Sequence, residues 1–541
     1  MATILTNNFK YKNAEEIRKL FHGVDRFGTI KHNVYLFIAR NRAWSDENSP
    51  DTPSTLVSQQ EEFDVHNDII VLKKIDASDV SIVAPKYIWA NNVAYTTWEH
   101  DSSTIFERDG DPTQPFYVAT QEPSTEWTIW KCLMNVGGVA TATEPTISSG
   151  LGATHLRGDG SGDGYVWKYM YSVSNSQMVK FSSSVADSSG KLWMPVKTLY
   201  VAPSSADNTS TTSQWDVQRQ AVHGGVHFIK PSPPPDALGV GDSTKLIRLD
   251  GDGTGFEGSV QSVTISATTY YYVNITDPGK DYTFVRRVMK QTLVGGGSSY
   301  PSDYTVDANL TAILSPIGGH GWDSTKELGG HRLMIHTTLE GNRAFGQQGT
   351  SYQHTYGGAS ENVYTDYRTI GLMVDPIRSD DVYDDIMNGS QRGEIIETGQ
   401  RQSAVDATNL VRLHYINETH DDTLSAAVDW RGKEIMQVNG TSTSDTFIAT
   451  GRVVDINISS QYLYVIPYAG TQPYTKFEPD SSSYVFLNES GTLNSNNYFR
   501  INQAKANDLL PYSGDIIYLD NRAQIIRDET KTETIRIVIE F

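Results

Sequence analysis

The chain is poor in cysteine: Cys132 is the only one in 541 residues. No intrachain disulfide can form, so the fold does not depend on an oxidising compartment. Cys132 sits in the apolar run Trp130-Lys131-Cys132-Leu133-Met134 and reads as a buried structural thiol. Positive charge is short as well. Lys and Arg number 44 against 64 Asp and Glu, a formal net charge of −20. Neutralising phosphates takes Lys and Arg, so nonspecific binding to nucleic acid is not expected. An acidic, solvated surface is the plain reading, and a basic partner protein the sharper one. No stretch approaches about 18 apolar residues, so no transmembrane helix and no membrane insertion is expected. The first residues, Met1-Ala-Thr-Ile-Leu-Thr-Asn-Asn, lack the basic flank and apolar core of a signal peptide. The sequons at Asn208, Asn274, Asn417 and Asn457 are then chance products of composition. No repeat of fixed period occurs.

Aromatics, by contrast, are abundant, with 10 Trp and 29 Tyr. They suit sheets and extended contact surfaces. The stretch Gly162-Asp-Gly-Tyr-Val-Trp-Lys-Tyr-Met-Tyr171 shows how they are used. A glycine turn feeds a strand whose alternation puts Tyr165, Trp167, Tyr169, Tyr171 and Val173 on one face. Val166, Lys168 and Met170 take the other. An aromatic row of that length needs something to pack against.

The rest of the chain reads as mainly β (α+β), an elongated multi-domain protein of antiparallel sheets and sandwiches with few helices. At about 100–200 residues per domain, three or more domains are expected. The best helix runs from Asn13 to Gly23, with Asn13 as cap, Glu16 at the capping-box position and Ile17, Leu20 and Phe21 as its apolar stripe. Residues 33–40 read as a buried strand, and 45–61 as a polar surface loop. Asp64 to Asp76 mixes helix and strand signals and stays unassigned. Strands are expected at 80–85, Tyr87–Trp98, 116–120 and 127–134. A Ser/Thr/Asn-rich link follows at 204–213, then a strand at 222–229. The Pro-rich spacer at 231–236 marks a boundary. Alternating segments at 245–249, 258–265, 270–275 and 282–288 make a small β unit, and 331–339 is a further strand. Beyond Tyr367–Pro376, strands are expected at 410–416, 447–458, 462–466 and 484–487. The alternating Thr534–Phe541 should dock in a sheet, since a loose apolar strand would aggregate.

Several motifs imitate chemistry. Gly253-Thr-Gly255-Phe-Glu-Gly258 matches the dinucleotide fingerprint, and Asp277 lies where the ribose partner would. The fingerprint needs a helix N-terminus next, and a strand follows here, so a hairpin turn is the reading adopted. Asp250-Gly-Asp252-Gly-Thr254-Gly255 and Asp159-Gly-Ser161-Gly-Asp163-Gly164 both resemble the start of a calcium loop. The twelfth position is Gln261 in one and Met170 in the other instead of a bidentate Glu, so Asx and Gly turns are expected. His320, His331 and His336 could supply metal ligands, but their spacing is not compact. There is no GxxxxGK[ST] and no GxSxG. No catalytic, cofactor-binding or metal residue is therefore assigned, and the chain is not expected to be an enzyme.

Three separated stretches resemble one family, the baseplate wedge subunit of contractile-tailed phages known as gene product eight. They are Gly162-Asp-Gly-Tyr-Val-Trp-Lys-Tyr169, Tyr367-Arg-Thr-Ile-Gly-Leu-Met-Val-Asp-Pro376, and Asp508-Leu-Leu-Pro-Tyr-Ser-Gly-Asp-Ile-Ile-Tyr-Leu-Asp-Asn-Arg522 onward to Phe541. The N-terminal third runs in similar order: helix, apolar strand, Arg42-Ala-Trp44-Ser45, Pro85-Lys86, then Trp127 to Cys132. Residues 1–230, 346–377 and 505–541 would be the core region of such a subunit. Residues 231–345 and 378–504 would be two inserted β domains, whose role the resemblance does not carry. It implies a virion structural protein, a homodimer that touches other baseplate wedge proteins and is assembled in the host cytoplasm. It brings no catalytic residue and no cofactor. A carbohydrate-binding or glycan-cleaving tail protein is the alternative, suggested by the aromatics and the extra β units. A receptor-binding adhesin is a third, although such proteins tend to show repetitive fibre-like sequence.

Overall fold

The computed structural model of the chain is mostly β and built of antiparallel sheets. The structure describes residues 6–22, 32–102, 115–121, 126–140, 143–146, 156–157, 162–182, 192–197, 223–231, 238–292, 303–340, 353–356, 359–362, 366–377, 406–416, 430–440, 446–457, 461–467, 476–480, 482–489, 492–505, 507, 509, 512–526 and 532–541. The Ser/Thr/Asn-rich link at 204–213 and most of the Pro-rich spacer fall outside these residues. The chain divides into two compact units, each assembled from distant stretches. The first comprises Met1–Glu16, Ser81–Ile335 and Ile537–Phe541; the second comprises Ile17–Val80 and His336–Arg536.

In the first unit the aromatic stretch is the strand Tyr165–Ser174. It lies between Glu126–Asn135 and Leu156–Arg157, with Tyr117–Gln121 on the far edge. Tyr165, Trp167 and Tyr169 pack with Trp130, Cys132, Val118 and Tyr95. The Tyr165 and Trp167 rings stack at 5.5 Å and 7°. The cover over this row comes from residues 87–98, which are not the strand expected there. Asn92 takes a left-handed φ of 63°. Trp89 N–H donates to Ala119 O (3.1 Å) and Trp98 N–H to Cys132 O (2.9 Å). The segment keeps only isolated bridge residues, at Ile88, which pairs with Ala119, and at Val93, and is otherwise irregular. Tyr95 and Trp98 are buried while Ile88 is exposed, so the segment's β-forming side chains serve packing at a few positions rather than a continuous strand, which sequence cannot separate from strand propensity.

The other face of the aromatic strand is also buried. Val166 meets Leu133, Met134, Phe228, Val263, Tyr272 and Ile313. Val263 and Tyr272 belong to a second, five-stranded sheet in the order Thr268–Lys280, Thr254–Ile265, Leu246–Gly251, Val285–Thr292, Asp303–Val306. Its longest hairpin turns at Ser266 and Ala267, both at positive φ (49° and 67°), the backbone a two-residue turn requires. Thr532–Glu540, Arg332–Glu340, Val80–Pro85 and Trp193–Pro195 form a four-stranded sheet. The alternating C-terminal strand is therefore in a sheet, with Ile535 and Ile537 buried.

In the second unit, strands far apart in sequence lie side by side: Asp406–Thr408, Ile69–Lys74, Val34–Ala39, Tyr367–Val374 and Asp515–Ile525, all antiparallel. Gly371 lies opposite Phe37, and a Cβ there would sit 2.1 Å from the Phe37 ring. Residues 411–505 close into a barrel in the order Val411–Ile416, Tyr462–Pro467, Thr446–Asn457, Glu434–Asn439, Ser483–Glu489, Thr492–Lys505, the last pairing with the first. Leu413, Tyr415, Ile435, Val453, Val465, Phe477, Val485 and Phe499 fill its core. The strands Glu434–Asn439 and Thr492–Lys505 were not anticipated. The second begins Thr-Leu-Asn-Ser-Asn-Asn, and barrel closure overrides that polar composition.

Two further corrections concern helices. The first helix spans Asn7–His22 and starts six residues earlier than expected. Thr6 caps it, accepting from Phe9 N–H (3.4 Å), so neither Asn13 nor Glu16 serves at its start. Its buried positions are Tyr11, Ala14 and Phe21. The unassigned 64–76 stretch is both elements in succession: the helix Gln59–Asp68, started by a Ser58–Glu61 capping box, and then the strand Ile69–Lys74.

Candidate functional site

The residues that imitated chemistry are turn-makers. Gly253 packs against Tyr282, and a Cβ there would lie 2.3 Å from that ring. Asp252 accepts from Thr283 N–H (2.9 Å) and Phe284 N–H (3.1 Å) and from the Thr283 hydroxyl. The Thr283 hydroxyl first, with the two amides, holds the Asp252 carboxyl down at about 2. Asp277 accepts from Gly279 N–H (2.9 Å), and Asp250 pairs across strands with Arg287. No helix follows the glycines; they open the Thr254–Ile265 strand. Asp163 accepts from Tyr165 N–H (3.2 Å), while Asp159 and Ser161 fall outside the described residues. Cys132 is buried, and burial pushes its thiol well up.

The three histidines separate. His331 faces Glu540 (3.4 Å), whereas His336 lies within the Arg332–Glu340 strand. His320 meets a histidine that sequence reading passed over, His227, at 3.0 Å. These two lie beside a buried ion pair between Lys131 and Glu327. Lys131 Nζ also sits 4.7 Å from the Trp98 ring. Glu327 Oε1 accepts from Gly321 N–H (2.8 Å) and Asp323 N–H (3.3 Å). One carboxylate thus fixes the Gly-rich 316–330 loop onto the sheet. Burial lowers the Lys131 ammonium from its ordinary value, and Glu327 opposes that shift. Among the described residues no group of three or more His, Cys, Asp or Glu is arranged to hold a metal.

Charged side chains also converge in the second unit, where the Val34–Ala39 strand ends. Arg40 turns the chain at a left-handed φ of 60°, and its N–H donates to Asp68 O (2.9 Å). Its guanidinium lies 3.7 Å over the Trp44 ring. Asp68, at the end of the Gln59–Asp68 helix, carries the carboxylate on which three arginines converge. Arg452 is hydrogen-bonded to it, Arg42 reaches it at 3.5 Å and Arg40 at 3.8 Å. A second pair, Arg368 to Glu47 (2.7 Å), ties down the loop after Arg40. Trp44 Nε1 donates to Arg522 O (2.8 Å), and Glu47 accepts from Gln524 N–H (3.2 Å). Side chains of this loop thereby satisfy backbone groups of the edge strand Asp515–Ile525.

A cavity of about 280 Å³ opens here, lined by Arg40, Arg42, Trp44, Ser54, Glu61, Asp64, Val65, Asp68 and Leu519 among others. Burial, and then the charge of Arg42, lower the Arg40 guanidinium from its usual value. Sequence reading missed this site because its parts are remote: Arg452 and Asp68 lie 384 positions apart. Its only trace was the run Arg40-Asn-Arg42-Ala-Trp44 directly after an apolar strand. No family model matches this chain, and no curated protein matches it. Among the described residues no helix is long and apolar enough to cross a membrane.

Proposed function

We propose that the chain is a structural component of a phage tail baseplate wedge, holding neighbouring wedge proteins together through assembly and tail contraction. One observation carries the reading. The N-terminal apolar strand and two of the three resembling stretches, remote in sequence, meet as the adjacent strands Val34–Ala39, Tyr367–Val374 and Asp515–Ile525. Between the last two, six strands close into a barrel of their own. A shared core sheet that tolerates a closed domain between neighbouring strands is what an insertion into a common scaffold requires. The acidic charge and the turn-making role of the motif acids support a contact protein over a catalyst. The glycan alternative has less support, because Tyr165, Trp167 and Tyr169 are buried in the sheet core.

The test is light scattering or mass photometry of the purified chain, alone and mixed with the baseplate proteins encoded beside it. A dimer that joins a larger defined complex, with interfaces above about 1,000 Å², is expected. A monomer that ignores those proteins, or turnover in a glycan-cleavage screen, overturns the proposal.

A further inference from the structure

The Lys131–Glu327 contact of the first unit has the parts of an amide-forming site. The Glu126–Asn135 strand supplies an amine and the Gly-rich loop a carboxyl, 196 positions away along the chain. Lys131 Nζ is in direct contact with Glu327 Oε2, and both side chains are buried. Glu327 Oε1 accepts from Gly321 N–H (2.8 Å) and Asp323 N–H (3.3 Å). Two backbone donors on one carboxyl oxygen are placed to hold the negative charge that gathers there when an amine adds to Cδ. On the Oε2 side stands His320, whose Nδ1 lies 4.0 Å away. Its Nε2 is 3.0 Å from His227 Nδ1, and its ring stands edge-on to Trp98 at 5.3 Å, so the imidazole is held in place. Burial favours the uncharged, nucleophilic form of Lys131. A buried ion pair explains the two amides; the ordered imidazole beside the oxygen that faces the amine is the further part.

We propose that Lys131 and Glu327 condense into an intramolecular amide, a covalent staple between the Glu126–Asn135 strand and the Gly-rich loop, with His320 as the proton carrier. The step balances without a co-reactant. The Lys131 ammonium first gives one proton to Glu327, leaving a neutral amine beside a carboxylic acid. The Nζ–Cδ bond forms, charge gathers on Oε1, and His320 moves a second proton from Nζ to Oε2. The Cδ–Oε2 bond then breaks and Oε2 leaves as water. Nothing is oxidised or reduced, and each chain reacts once, so no substrate is turned over. Groups held in such an orientation react as if at about 10⁵–10⁸ M, and the water-excluded surroundings disfavour the reverse step. The staple does not rest on the baseplate reading.

Intact mass spectrometry of the full chain, purified folded, held for a day at room temperature and then denatured, tests this. The expected mass is one water below that of the sequence. Trypsin should fail to cut after Lys131, and tandem mass spectrometry should find a branched peptide joining Lys131 to Glu327. A chain at its full sequence mass overturns the proposal, as does a lost water that maps elsewhere. Lys131→Arg keeps the cation without an attacking amine and should stay at its full mass; a water loss there also overturns the proposal. His320→Phe keeps an aromatic ring against Trp98 and should slow closure about a hundredfold. That is read as the crosslinked fraction over time after a short cell-free synthesis, in protein shown to be folded by circular dichroism. Closure at the wild-type rate in folded His320→Phe overturns the role given to His320. The wild-type mass decides the staple whatever the fold of either variant. A stapled chain that ignores the neighbouring baseplate proteins keeps the staple and removes the baseplate reading; an unstapled chain that joins them does the reverse.

Discussion

Substituting Lys131 tests the account of the first unit most directly. Lys131 is fully buried and Glu327 nearly so, at 0% and 4% side-chain exposure. Lys131→Met keeps the length and apolar stem of the side chain and removes the ammonium. Glu327 is then left as a buried charge with two backbone N–H donors, from Gly321 and Asp323. Breaking a buried pair in this way costs about 3–5 kcal/mol, because the remaining charge is uncompensated. At about 1.4 kcal/mol per tenfold, protection of the buried amides should fall by roughly two to three and a half orders of magnitude. Hydrogen exchange followed by mass spectrometry on peptides covering 126–135 and 316–330 reads this, since exchange reports the local opening equilibrium. The double variant Lys131→Met, Glu327→Gln should be the more stable of the two, by about 2 kcal/mol. It carries no buried charge, and the Gln carbonyl still accepts from Gly321 and Asp323. A loss under tenfold in the single variant, or a double variant worse than the single, would refute the reasoning.

His66 is buried, and burial holds its imidazole down at about 4. The unfolded chain takes up that proton near 6.5, so stability of the second unit is present above 6.5 and is lost as pH falls from there towards 4. The loss should be about 2 kcal/mol by pH 5, visible as a lower urea midpoint that flattens in His66→Leu. Gly371→Ala should destabilise the core sheet by about 1–3 kcal/mol, since the new methyl meets the Phe37 ring, and Phe37→Leu should restore part of it; thermal unfolding of the set checks both. Cys132 should be inert to a disulfide exchange reagent in the folded protein and react fully in denaturant; native reactivity would contradict its burial. Removing Thr534–Phe541 takes away a strand that buries Ile535 and Ile537, and should abolish soluble protein and with it the proposed dimer, as gel filtration would show.

Much was legible in the sequence wherever the signal is local. The Val34–Ala39 and Tyr165–Ser174 strands, the hairpins after the Pro-rich spacer, the Asx and Gly turns and the buried thiol follow from alternation, turn chemistry and apolar runs. Those features are decided by neighbours within a few residues. The tertiary structure decided the rest, because it depends on which remote segments meet. Residues 87–98 carry β-forming side chains but are irregular, with Tyr95 packed against Tyr165 and Trp167 while Ile88 stays exposed. Thr492–Lys505 is polar at its start yet closes a barrel, because its partners at 411–416 and 483–489 need a strand there. Lys131, Glu327 and His227 read as ordinary charges and an ordinary histidine until the fold buries them together. Arg40, Arg42, Asp68 and Arg452 form a site only once two ends of the chain are brought to one carboxylate, and no spacing along a sequence can express that.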